Sequence, residues 1–131
     1  MTVQTLLQGA VRDALQSHAA LAAVLTAVFD APPVRAAVPH ALVEDAVLTD
    51  WSTKDQTGRE GRFAVIVRDE GERPVRLRAL AGAVEEAVEA MAPDIGGGWR
   101  IVGVLFLRGR VQRDGGQWLS VSEFRVRMLR F

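Results

Sequence analysis

Asp50-Trp51-Ser52-Thr53-Lys54-Asp55-Gln56-Thr57-Gly58-Arg59-Glu60-Gly61-Arg62-Phe63-Ala64-Val65-Ile66-Val67 carries the chain from an almost wholly polar segment into an almost wholly apolar one. Residues 50 to 61, broken by Gly58 and Gly61, read as a long exposed loop. Arg62 to Arg68 then reads as a strand. Phe63, Val65 and Val67 face one way and Ala64 and Ile66 the other, so cover is expected on both sides over part of its length. Asp69-Glu70-Gly71-Glu72 turns the chain into a helix starting near Arg73, with Pro74 close to the first-turn position that tolerates proline. Val75, Leu77, Leu80, Ala81, Val84, Val88 and Met91 form the apolar stripe of that helix, and Glu85, Glu86 and Glu89 are left for solvent or a partner.

Upstream, Val3, Leu6, Leu7, Ala10, Val11, Ala14 and Leu15 recur at helical spacing, with Gln4, Gln8, Arg12, Asp13 and Gln16 on the other side. A second, alanine-rich helix is expected within Ala19 to Val28, stopped before the Pro32-Pro33 pair. Ala41 to Leu48 reads as one strand, and the acidic Glu44 and Asp45 at its middle assign it to a sheet edge. Downstream, Pro93 and Gly96 to Gly98 stop the long helix and act as a flexible connector. Trp99 to Arg110 and Gln117 to Phe131 are strands flanking the hairpin signal Arg113-Asp114-Gly115-Gly116. In the last strand Phe124, Val126 and Met128 alternate with Glu123, Arg125 and Arg127, giving one buried and one polar face. The order predicts a single α+β domain over residues 1–131, with a mainly antiparallel four-stranded sheet packed with helices on one face.

Composition narrows the chemistry. Sixteen basic residues, fifteen of them Arg, balance sixteen acidic ones, so overall charge gives no reason for tight non-specific nucleic-acid binding. From Trp99 onward, however, seven arginines face only Asp114 and Glu123. There is no cysteine, which removes disulfides, thiol catalysis and thiolate metal sites. No apolar run approaches the roughly 20 residues that span a bilayer, so no membrane partner is expected.

No motif supports an enzyme. The Asp94-Ile95-Gly96-Gly97-Gly98 run follows a helix and precedes a strand, the reverse of a phosphate loop. Ser52, Thr53, Ser120 and Ser122 have no base and orienting group at recognisable spacing. His40 and Glu44 share a face only if that segment is helical, and with His18 far away they make a poor metal set, so no metal and no cofactor are expected. Two features carry interaction chemistry instead. Trp51 among Ser52, Thr53, Lys54 and Asp55 has the composition of an interface anchor, against the equally good reading of a loop Trp folded back on the core. Arg108 with Arg110, and Arg125 with Arg127, lie in pairs that a hairpin can merge into one basic patch; the competing reading is a solvated face paired locally with acids.

Val47-Leu48-Thr49-Asp50-Trp51-Ser52-Thr53-Lys54, the Gly58-Arg59-Glu60 approach to the Phe63–Val67 strand, the Arg73-Pro74-Val75-Arg76 helix start and the late hairpin together resemble the tail-terminator (tail-completion, head-tail joining) family of long-tailed phages and gene transfer agents. The resemblance covers nearly the whole chain and is most specific over Val43 to Met91; the Glu44-Asp45 pair departs from it. It implies a virion protein, assembled in a bacterial cytoplasm, that forms a hexameric ring on the head-proximal end of the tail tube. That ring would end tube polymerisation and join a neck (stopper) protein below the head, with DNA passing transiently and non-specifically through its lumen. On this reading the tail-tube or neighbour contacts fall to Trp51, Ser52, Thr53, Lys54, Asp55, Arg59 and Glu60. Subunit pairing or lumen lining falls to Arg108, Arg110, Arg125 and Arg127, with Glu85, Glu86 and Glu89 as complements. A head-side neck adaptor of the same particle and an unrelated small α+β ligand-binding or regulatory domain are the alternatives.

Overall fold

The computed structural model describes all of residues 1–131. Three helices, α1 (Val3–Ser17), α2 (Ala19–Val24) and α3 (Val75–Glu89), accompany seven strands: β1 (Val28–Phe29), β2 (His40–Val43), β3 (Val47–Asp50), β4 (Gly58–Asp69), β5 (Asp94–Gly96), β6 (Trp99–Asp114) and β7 (Gln117–Arg130). The strands make one sheet in the order β1-β2-β4-β7-β6-β5, with β3 beside β4. Only the β1–β2 pair is parallel. The α+β class stands. The sheet is mainly antiparallel as expected, with β1–β2 its one parallel pair, but the expected four strands become seven.

The differences have local causes. The expected Ala41–Leu48 strand is two strands, because β2 and β3 both pair antiparallel with β4 but are separated at Glu44, Asp45 and Ala46. There the polar side of α1 takes over: Gln8 Nε2 donates to the Val43 carbonyl at 2.8 Å and Gln4 Nε2 to the Ala46 carbonyl at 2.9 Å. Carbonyls that leave the ladder thus keep partners. The loop expected over residues 50–61 shrinks, since Gly58 to Gly61 already pair with β7 on one side while Arg59 to Gly61 also pair with β3 on the other. Two flanking strands recruit a polar sequence that propensity alone leaves out. The second helix ends at Val24, and Val28–Phe29 pairs with β2 instead. Gly96, Gly97 and Gly98, all at positive φ, form a tight β5–β6 turn held by Phe131 N–H donating to the Gly98 carbonyl at 2.7 Å, not a flexible connector.

One apolar cluster joins Leu7, Val11 and Leu15 of α1, Leu21 of α2 and the buried side of α3 to Phe63, Val65 and Val67 of β4 and Phe124, Val126 and Met128 of β7. At its centre the Phe124 ring lies 5.5 Å from Phe63 and 5.7 Å from Phe106. The stripe of α3 is Leu77, Leu80, Ala83, Val84, Ala87 and Val88; Val75 is exposed and Ala81 and Met91 are only half-buried. Asp69, at the end of β4 and 2% exposed, holds α3 to the sheet by accepting from Arg76 at 2.6 and 2.8 Å and from the Glu70 N–H at 2.8 Å. The Arg76 hydrogen bonds hold its carboxyl below the usual aspartate range, against the opposing effect of burial.

Candidate functional site

The sheet face opposite the helices is built by register. Along β7, Val121, Glu123, Arg125 and Arg127 share this face. β4 places Arg62 opposite Arg125 and Glu60 opposite Arg127. β6 places Arg110 opposite Val121 and Arg108 opposite Glu123, with Leu105 and Gly103 against Arg125 and Arg127. The four arginines of the sequence reading therefore do lie on one face, two toward the hairpin tip and two toward its base.

They are not a bare basic patch. One oxygen of Glu60 accepts from Arg127 Nε at 3.2 Å and is ion-paired to Arg125 Nε at 3.3 Å, and Arg108 is ion-paired to Glu123. Arg68, at the other end of the face, pairs with Asp114 at 2.9 Å. Local pairing of Arg with acids accounts for most of the row. Six guanidinium groups nevertheless meet only three carboxylates here, and Arg62 and Arg110 have no ion-pair partner. Next to Ile66 a small apolar cluster of Ala64, Leu119 and Val121 interrupts the charge.

The loop and the arginines, separate in sequence, form one site. The Trp51 ring stacks on the Arg127 guanidinium at 5.2 Å, half-buried against the sheet face and away from the core. The loop that delivers it is closed by its own polar side chains. Ser52 Oγ donates to Asp50 at 2.6 Å and accepts the Gly58 N–H at 3.0 Å, and Thr53 Oγ1 accepts the Gln56 N–H at 3.0 Å. Asp50 also pairs with Arg59 at 3.2 Å. Gly58 has no substitute there, because a Cβ would lie 2.3 Å from the Trp51 carbonyl oxygen. Ser52, Thr53 and Arg59 thus shape the loop, whereas Lys54 and Asp55 at its tip are exposed and make no ion pair.

The three glutamates lie elsewhere. Glu85, Glu86 and Glu89 sit on α3, in the helical layer, and none is ion-paired to the arginine row of the same copy, although Glu85 and Arg110 line one small pocket beside Phe106; Glu86 pairs instead with His18 at 3.2 Å. His40 is on a strand, buried, and its pKa is lowered by burial and by the nearby Arg68. Its proposed helical pairing with Glu44 does not occur. Ser120 and Ser122 are buried in β7.

Two features had no sequence signal. A groove of about 740 Å³ runs between α1 and the end of α3, lined by Leu6, Gly9, Ala10, Ala87 and Met91 among others. The second is the edge of β6: β5 pairs only with Trp99 and Arg100, so Ile101 to Asp114 have a strand on one side alone. Adjacency of this kind is invisible to periodicity.

The family model described as tail completion protein gp17 matches residues 9–129. Among solved structures, a chain of the virion of a native gene transfer agent particle is 31% identical, with 94% of each chain covered and a TM-score of 0.83. A search of curated proteins returns no match.

Proposed function

Because the chain belongs to the tail completion protein gp17 family, we propose that it is the tail terminator of a phage-like particle. It assembles as a hexameric ring on the head-proximal end of the tail tube, ends tube growth and offers a surface to the neck protein below the head. The family is one of structural tail-assembly proteins and not of enzymes. The carrying observation is the 31% identity over 94% of both chains to a gene transfer agent virion component, at a TM-score of 0.83.

The mechanism is templated association. A weak self-interface becomes stable once the last tube ring supplies a second one, because two linked contacts add where either alone fails. The loop carrying Trp51 through Asp55 is the contact for the tube or a neighbour, since its turn is pinned at Asp50 and Gly58 while Lys54 and Asp55 stand free. The sheet face with Arg62, Arg110 and the Glu60-clamped Arg125 and Arg127 fits subunit pairing or the lumen. There a small excess of positive charge, repeated by symmetry, lets DNA pass without holding it. Glu85 and Glu89 of α3 remain available to a neighbouring copy.

The test is electron microscopy of particles from cells lacking the gene. Headless tails of uncontrolled length, whose open tube ends do not join filled heads, are expected. Complete particles would overturn the proposal, and tails of normal length bearing a closed tube end would move the role to a head-side adaptor.

A further inference from the structure

The sheet ends in two unsatisfied edges of opposite charge. On one side the Ile101 N–H donates to the Pro93 carbonyl, and beyond it β6 leaves the backbone of Val102 to Asp114 without a partner, roughly 43 Å of edge at the usual rise per residue. Four large aliphatic side chains are exposed along it, Val102, Leu105, Leu107 and Val111. Val102 and Leu107 are the extra residues of two bulges. Free edges of this length are normally covered, because their N–H and C=O groups recruit another strand. The strand carries Arg100, Arg108, Arg110 and Arg113 against Asp114 alone. On the other side, β3 pairs only with β4, Val47 is 70% exposed, and Glu44 through Asp50 holds three carboxylates and no base. Glu44 and Asp45 are exposed without an ion pair.

We propose that β6 of one copy pairs antiparallel with β3 of the next, continuing the sheet from subunit to subunit. The inference rests on the ring reading above and names the self-interface within it. Rotation about a ring axis preserves each strand's sense along that axis. β6 runs with β4 and β3 runs against it, so the two edges meet antiparallel. With the two edges meeting level across the ring, as they stand within one copy, where Val47, Arg62, Arg125 and Leu105 lie in one row, Glu44 and Asp45 fall toward the Arg110 end of β6 and Val47 near Leu105 and Leu107. Such a contact is heterologous and closes into a ring. Pairing of β6 with its own copy would instead bring the two arginine-rich edges together, which like-charge repulsion opposes.

The chain has no cysteine, so engineered pairs report without background. Particles carrying Val47→Cys with Leu105→Cys, or Val47→Cys with Leu107→Cys, would be purified, oxidised and run on a denaturing gel. All three positions are exposed, so folding is not at stake. The expected result is a covalent ladder rising to the ring size from at least one pair, because a disulfide needs Cβ atoms about 4 Å apart. None is expected from the single variants or from Val47→Cys with Val111→Cys, four residues out of register. Particles that contain the chain but give no ladder from either pair would overturn the edge pairing and leave the ring reading intact. So would a dimer from Leu105→Cys or Leu107→Cys alone. Particles assembled with the unsubstituted chain that do not contain it would overturn both.

Discussion

Adding the same methyl group at two glycines should move stability in opposite directions. At Gly58 a Cβ would stand 2.3 Å from the Trp51 carbonyl oxygen and 2.9 Å from both the Trp51 carbonyl carbon and a Leu129 methyl. Ordinary contact begins above 3 Å, so the Trp51 backbone must retreat by about an ångström, an overpacking that costs about 1–3 kcal/mol. That backbone is held to Gly58 by the Trp51 N–H bond of 3.0 Å, so the retreat opens the end of the β3–β4 pair. At Gly82, within α3, nothing lies within 4 Å of the added atom. There Gly82→Ala gains helix propensity of about 1 kcal/mol. For a chain of this size about 1 kcal/mol moves Tm by roughly 4 °C. Thermal unfolding followed by circular dichroism should therefore show Gly58→Ala about 4–12 °C below the parent and Gly82→Ala a few degrees above it. Gly58→Ala should also shift the fluorescence of Trp51 as its ring leaves Arg127. A Gly58→Ala protein as stable as the parent would refute the account of the loop as a backbone crossing that only glycine permits.

Glu60→Gln should cost about 1–2 kcal/mol, since one partly buried carboxylate serves two guanidinium groups and single exposed pairs give up to about 1. A double-mutant cycle with Arg127→Gln checks it, and coupling near zero would show that the clamp contributes no stability. Trp51→Ala should lower stability by only about 1 kcal/mol, the scale of a partly exposed cation–π contact, yet reduce the yield of joined particles. Loss of the fold in that variant would mark Trp51 as structural. Acid should act in two stages, followed by unfolding at stepped pH. His40, with its pKa lowered, stays neutral in the fold while the unfolded chain takes up a proton, so its contribution is lost as pH falls below about 6.5. Asp69, also lowered, contributes above about pH 4, and that contribution fades as pH falls through its folded value. Asp69→Asn should be less stable than the parent at pH 7, by about 1.5–3 kcal/mol for the lost charged hydrogen bonds, and converge with it in strong acid.

The elements whose partners are nearby in sequence were legible. Helical spacing located α1 and most of α3, with Val75, Ala81 and Met91 outside the buried stripe and Ala83 and Ala87 added to it. Alternation identified the inner face of β7, and Gly115-Gly116 announced the hairpin. Each of these signals is a period or a turn residue, set by backbone geometry within a few positions. Trp51 and the Arg pairs also stood out by type.

What pairing alone decides was not legible. Gly58 to Gly61 look like loop and become strand because β3 and β7 lie on either side of them. Glu60 looked like part of a loop contact, but its place opposite Arg127 makes it the clamp of the arginine row, an adjacency between residues 67 positions apart. The free edge of β6 exists only because the neighbouring β5 is three residues long. Local sequence determined which segments are helix or strand, since propensity and periodicity act over a few residues. Which strand is left without a neighbour, and which carboxylate meets which guanidinium, was decided by tertiary structure, because those depend on hydrogen-bond register between segments far apart in the chain.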